Sequence, residues 1–145
     1  ATVAKPQLEK AGFKVDLQAM DWQTLVSRRT KKDAPDKGGW SAFFTSWGSP
    51  DVLNPVAAAF INASCDKATF GWPCDETLEK LRDAYAKETD PAKQKAIAEQ
   101  VSLRLSAGYP TFAHLGQFTT PTALRANVNG LLQTPSLALW NVEKK

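Results

Sequence analysis

Two aspartates, each placed directly before a run with helical periodicity, constrain this chain more than any other feature. A short acidic side chain at a helix start accepts hydrogen bonds from backbone N–H groups that have no partner inside the helix. Asp75 precedes Leu78, Leu81 and Tyr85, which share one helical face. Asp90 is followed by Pro91, suited to a first helical position, then by Ile97, Val101 and Leu105, with Gly108 as the stop. Two such runs with a short connection predict an antiparallel helical hairpin.

The rest of the chain alternates between helical and extended patterns. Ala1 to Ala11 reads as a helix stopped by Gly12, and Pro6 either kinks it or marks its true start. Phe13, Val15, Leu17 and Ala19 alternate with polar residues, the pattern of a half-buried strand. Asp21 can cap a helix that carries Trp22, Leu25 and Val26 on one face. Its basic end, Arg28 to Lys32, reads as cations favoured by the helix dipole. After a polar loop over 33–39, Trp40 to Trp47 predicts an apolar strand entering a Gly48–Asp51 turn. Asn54-Pro55 opens a short helix through Ile61. Beyond Tyr109-Pro110, Thr111 to Leu115 and Leu137 to Val142 read as strands.

Strands separated by helices predict an α/β layer, with helices packed on a mixed sheet. The 145 residues are 43% apolar and 23% charged, which excludes a disordered, collagenous or coiled-coil chain. No apolar run is long enough for a membrane helix. The net charge of +3 is too small for a dedicated nucleic-acid binder, so Arg28 to Lys32 is no DNA-binding patch. Residues 118–145 stand apart: extended, proline-punctuated and apolar at their end, they lack a covering helix and want a sheet edge from elsewhere. Pairing of that unpartnered tail between two copies is one expected outcome. The chain opens on Ala1 with neither Met nor signal peptide, which reads as processing or excision from something longer.

Cys65 and Cys74 do not have the C-x-x-C spacing of redox or zinc motifs, and His114 is the only histidine that could help hold a metal. One disulfide across a Gly/Pro-containing loop is the favoured reading and points to an oxidising compartment; two unrelated reduced thiols are the alternative. Asn62-Ala63-Ser64 is a glycosylation sequon of a kind common by chance. A catalytic reading finds little. His114 has no nucleophile motif beside it, no two carboxylates are isolated in an apolar setting, and no phosphate or dinucleotide loop occurs. A small secreted disulfide-containing hydrolase using His114 is the alternative to a binding function. Trp47, Gly48 and Ser49 are the better site candidates, because ligands collect at strand ends and aromatics there offer large contact area.

The ordered series Lys10-Ala11-Gly12-Phe13-Lys14-Val15-Asp16-Leu17, Met20-Asp21-Trp22 and Ser46-Trp47-Gly48 resembles family 5 of the extracellular solute-binding proteins. These include the periplasmic dipeptide- and oligopeptide-binding components of ABC transporters. Ser64-Cys65-Asp66 with Trp72-Pro73-Cys74 resembles a disulfide loop of the dipeptide-binding members. Asp90-Pro91-Ala92-Lys93-Gln94 resembles the family's late helical hairpin, and Trp140-Asn141-Val142 its C-terminal strand. The resemblance implies the C-terminal portion of a type II periplasmic-binding-protein fold. Residues 1–117 would belong to the second ligand-binding lobe, and 118–145 would return to the first. It further implies a non-enzymatic periplasmic subunit without a cofactor, which binds a peptide or similar solute between two lobes and presents it to an inner-membrane ABC permease. Ser46, Trp47 and Gly48 match the family's ligand-pairing segment, and Ser49 joins them as a candidate wall residue. The family's amino-terminus anchor, an Asp three residues after the Trp, is replaced by Pro50, and Asp51 is the shifted candidate. No soft ligand cluster supports a metal or haem solute.

Overall fold

In a computed structural model, residues 1–108 and 111–145 are described, so the predicted Tyr109-Pro110 break lies outside them. The chain divides into two compact units, Ala1–Ser46 and Trp47–Lys145.

The first unit holds helices α1 (Ala4–Lys10) and α2 (Trp22–Arg28) and a 3-10 turn at Pro35–Lys37. Pro6 is the third residue of α1, where its missing N–H costs nothing, so it marks the start and does not kink the helix. Gly12, at φ +93°, ends α1: its N–H donates to Glu9 O and that of Phe13 to Leu8 O. This is the paired pattern that satisfies the last carbonyls of a helix. Asp21 caps α2 as expected, accepting from Thr24 N at 3.0 Å and from Thr24 Oγ1 at 2.6 Å. These bonds favour its charged form, so its pKa lies below the ordinary carboxylate value.

The segments predicted as strands over 13–19, 40–47, 111–115 and 137–142 form no ladder here; Ser41 is a bend, and Trp140 and Asn141 form a turn in which Val142 N donates to Leu139 O. Alternation decides which side chains face together, but a strand exists only when another segment supplies its hydrogen-bond partners. Among the described residues the sole sheet pairs β1 (Val128–Asn129) with β2 (Glu143–Lys144), antiparallel. The α/β layer is therefore reduced here to helices plus one two-stranded ladder, and the last strand sits one residue beyond its predicted end.

What stands in for a core in the first unit is a polar clamp. Arg28 donates from Nε (3.1 Å) and Nη2 (2.8 Å) to Gly39 O, and from Nη1 to Gln18 Oε1. Trp40 Nε1 donates to Arg29 O at 3.1 Å, and the Trp40 and Phe43 rings meet edge-to-face at 4.9 Å. Trp22, read with Leu25 and Val26 as one helical face, is 56% exposed, with the Arg29 guanidinium 5.5 Å from its ring centroid. Gly39 is buried, and a Cβ there would stand 1.8 Å from Asp33 O. Gly39→Ala should therefore destabilise the 33–39 loop by about 2 kcal/mol. The check is amide exchange at Gly39, whose N–H donates to Ala34 O; it should speed up at least tenfold.

The second unit carries the apolar core. Helices α4 (Glu76–Lys87) and α5 (Pro91–Leu103) form the predicted hairpin, joined by Glu88–Asp90. Asp90 Oδ1 accepts from Ala92 N and Lys93 N, while Glu88 Oε1 accepts from Thr89 N and Asp90 N, which caps α5 and fixes the turn. Leu78, fully buried, and Val101, 3% exposed, meet Ala58, Ile61 and Ala63, with Phe60, Leu81 and Leu105 around them. Burying a leucine side chain stabilises by about 1.5–3 kcal/mol, so this small cluster is the main apolar term of the unit. Among the described residues no helix is long and apolar enough to cross a membrane.

Candidate functional site

The segment after Trp47 is built by local capping and anchored by α4. Gly48 is extended (φ −65°, ψ 141°) and opens the single turn α3 (Ser49–Val52), with Pro50 in its first turn and Asp51 N donating to Gly48 O. The Asp51 carboxylate lies back over Gly48, where an added Cβ would come within 3.0 Å of Oδ2. Asn54 caps the next turn as expected, since its Oδ1 accepts from Val56 N and Ala57 N. The helix expected through Ile61 stops after that turn and resumes only as a 3-10 turn over Ala59–Ile61.

Two residues of α4 pin this irregular stretch. Arg82 donates to Pro55 O (2.9 Å) and Val56 O, and is held by Glu79 at 2.8 Å. Glu79 Oε1 also accepts from Ala63 N at 2.8 Å. The sequence expectations did not single out Glu79 or Arg82, because their partners are backbone groups sixteen to twenty-seven residues away.

Trp47 is 44% exposed and leans on Phe60, ring centroids 5.8 Å apart; Phe60 in turn meets Phe112 edge-to-face at 4.8 Å. Beside this aromatic chain opens a groove of about 240 Å³, lined among others by Val52, Leu53, Phe60, Leu105 and Phe112. Its walls are apolar apart from Ser102, so it offers contact area and no charge. Trp47, Gly48, Ser49 and Asp51 thus lie together at the start of α3, next to an apolar recess. Ser46 is the last residue of the first unit.

The two cysteines are joined as a disulfide, Cα atoms 4.1 Å apart, which removes the reading of two unrelated thiols. Backbone bonds from Cys65 N to Pro73 O and from Asp75 N to Ala63 O close the same loop. The sequon Asn62 is turned inward on its own chain, accepting from Ser64 N and Ser64 Oγ. Directly after Cys74, Asp75 is 5% exposed and doubly committed. It caps α4 through Thr77 N and Leu78 N and takes Arg104 Nε on Oδ2 at 2.7 Å. The Arg104 hydrogen bond is the main reason its pKa is lowered, against the effect of burial. Arg104 opens the π-helical turn Arg104–Gly108, so this pair ties the start of α4 to the end of α5.

His114 is exposed, on a stretch without regular secondary structure. No group of three or more His, Cys, Asp or Glu able to hold a metal occurs among the described residues.

No protein-family model matches the chain. It is 31% identical over 142 residues, 98% of its length, to a Sinorhizobium fredii protein described as a probable peptide ABC transporter periplasmic-binding protein. The chain spans 27% of that relative's length. Along nearly all of its residues, then, this chain is similar to one part of a periplasmic solute-binding protein, the resemblance that its ordered motifs already carry.

Proposed function

We propose that this chain is part of the solute-capturing subunit of an ABC importer, a non-enzymatic protein that takes a peptide or similar small solute between two lobes. The observation that carries the proposal is the 31% identity sustained across 98% of the chain. Residues 1–117 belong to the second lobe, and 118–145 run back toward the first. Hinge closure of the lobes traps the solute and presents the closed form to the inner-membrane permease. The compartment is the periplasm, whose oxidising chemistry suits the Cys65–Cys74 disulfide.

Ser46, Trp47, Gly48 and Ser49 form one wall of the cleft, with Asp51 as its polar group. Support comes from the half-exposed Trp47 ring and the apolar recess next to it. The exposed Leu137, Leu139 and Trp140 fit a tail whose partner surface lies in the other lobe; pairing between two copies is the alternative way to cover them.

Calorimetry with a peptide pool tests this in two arms. The 145 residues alone should bind weakly, and a longer protein that includes them should bind in the micromolar range or tighter. In the longer protein Trp47→Ala should weaken binding about 30-fold, roughly 2 kcal/mol. Micromolar binding by the 145 residues alone would overturn the two-lobe mechanism. An unchanged affinity in Trp47→Ala would remove Trp47 from the wall.

A further inference from the structure

The first unit contains a second recess with chemistry opposite to the apolar groove. It encloses about 450 Å³ and is lined by Gln18, Thr24, Ser27, Arg28, Lys31, Pro35 and Gly38. Two of the seven lining residues are cations and none is a carboxylate. Cations in the last turn of a helix ordinarily complement its dipole and are otherwise solvated. Arg28 departs from that pattern because its guanidinium is held in place: Nε and Nη2 lie on Gly39 O and Nη1 on Gln18 Oε1. A guanidinium has five N–H donors, so these three bonds leave one free on Nη1 and one on Nη2.

Two carboxylates hydrogen-bond neutral lining residues and keep their negative charge beside the recess, so Arg28 and Lys31 have to outweigh them. Asp16 accepts from Gln18 Nε2, and Asp21 caps α2 through Thr24. Lys31 and the Ser27 hydroxyl have no partner among the described residues, and Lys31 Nζ reaches over Gly38. A Cβ at Gly38 would lie 3.5 Å from that ammonium.

We infer that this recess is a binding site for a small tetrahedral oxyanion, phosphate or a phosphate monoester, held by Arg28, Lys31 and Ser27. The recess is lined by the guanidinium-bearing Arg28, the ammonium-bearing Lys31 and the hydroxyl-bearing Ser27. Two cations favour the phosphate dianion over a singly charged carboxylate, and Ser27 can add a hydroxyl donor. The site is open to water, which places its affinity in the millimolar range. It does not depend on the cleft proposed above.

The test is a titration of the 15N-labelled chain with inorganic phosphate at constant ionic strength, balanced with sodium chloride. An acetate arm and a phosphate-monoester arm run beside it. The expected result is saturable shifts of the Ser27, Lys31 and Gly38 amides and of the Arg28 Nε–H with phosphate and the monoester. Acetate should give a response at least tenfold weaker. Arg28 also holds the Gly39 clamp, so the variants are Lys31→Gln and Ser27→Ala, which leave that clamp intact. Lys31→Gln should raise the phosphate midpoint about tenfold and Ser27→Ala about threefold. The proposal is overturned if the shifts do not saturate, if chloride or acetate reproduces them, or if Lys31→Gln leaves the midpoint unchanged.

Discussion

Asp75→Ala should destabilise the second unit by about 3 kcal/mol, because one buried carboxylate holds two structures at once. Losing the cap frees Thr77 N and Leu78 N at the first turn of α4, which costs about 1 kcal/mol. Losing the charge-assisted bond to Arg104 adds about 2 kcal/mol. The figure lies within the ordinary range for a hydrogen bond to a charged group, because the Asp75 side chain is only 3% exposed although that of Arg104 is 40% exposed. For a chain of this size the change lowers the melting temperature by about 9 °C in a thermal melt. Asp75→Asn separates the two contributions: its amide oxygen can keep the cap while the charge is lost, so its melt should fall between wild type and alanine. An alanine variant that melts with the wild type would show that the cap and the ion pair contribute nothing.

The same carboxylate gives the stability a direction with pH. Arg104 and the helix N–H groups lower the Asp75 pKa in the folded chain, below the ordinary 3.8. The group therefore contributes its stability above the unfolded value and loses it as pH falls through the folded one. The gap between wild type and Asp75→Asn should be full at neutral pH and close as the pH drops below about 3.8. A gap that widened in acid would contradict the lowered pKa.

Removing the disulfide by changing Cys65 and Cys74 together to serine should cost about 2.7 kcal/mol, the loop-closure entropy of a roughly ten-residue loop. The equivalent drop in melting temperature is about 8 °C. The backbone bonds Cys65 N to Pro73 O and Asp75 N to Ala63 O brace the same loop and moderate its opening. The loss should appear as faster amide exchange at Cys65 and Asp75 before α5 is affected, because Asp75 follows the bridge directly and starts α4. Equal melts for the reduced and oxidised chains would show that those backbone bonds suffice.

The legible parts of this chain share one property: their signals are local. Asp21, Asp75 and Asp90 announce caps because the N–H groups they accept lie two or three residues away. Gly12 announces a helix end because its left-handed φ is a property of a single residue. The hairpin core of Leu78 and Val101 follows from helical spacing alone. The disulfide could be favoured from the loop between its cysteines, but only the structure joined them.

Nonlocal partners were not legible. Four alternating or apolar segments read as strands, and none of them pairs, since alternation names a face and says nothing of which backbone stands opposite. Arg28 looked like dipole complement and became a clamp once Gly39 O came within 2.8 Å. Glu79 and Arg82 were not singled out by the sequence, yet they hold Ala63 and Pro55 in place. For the candidate site, the sequence singled out Trp47 to Asp51 by residue type and position. The recess beside them is made by Phe60, Leu105 and Phe112, which only folding brings together. By itself the sequence determined where the aspartate-capped helices start, since capping is settled within one turn of chain. The tertiary structure alone decided which backbone groups and rings meet across long separations, because those contacts depend on the closure of loops whose ends carry no local mark of each other.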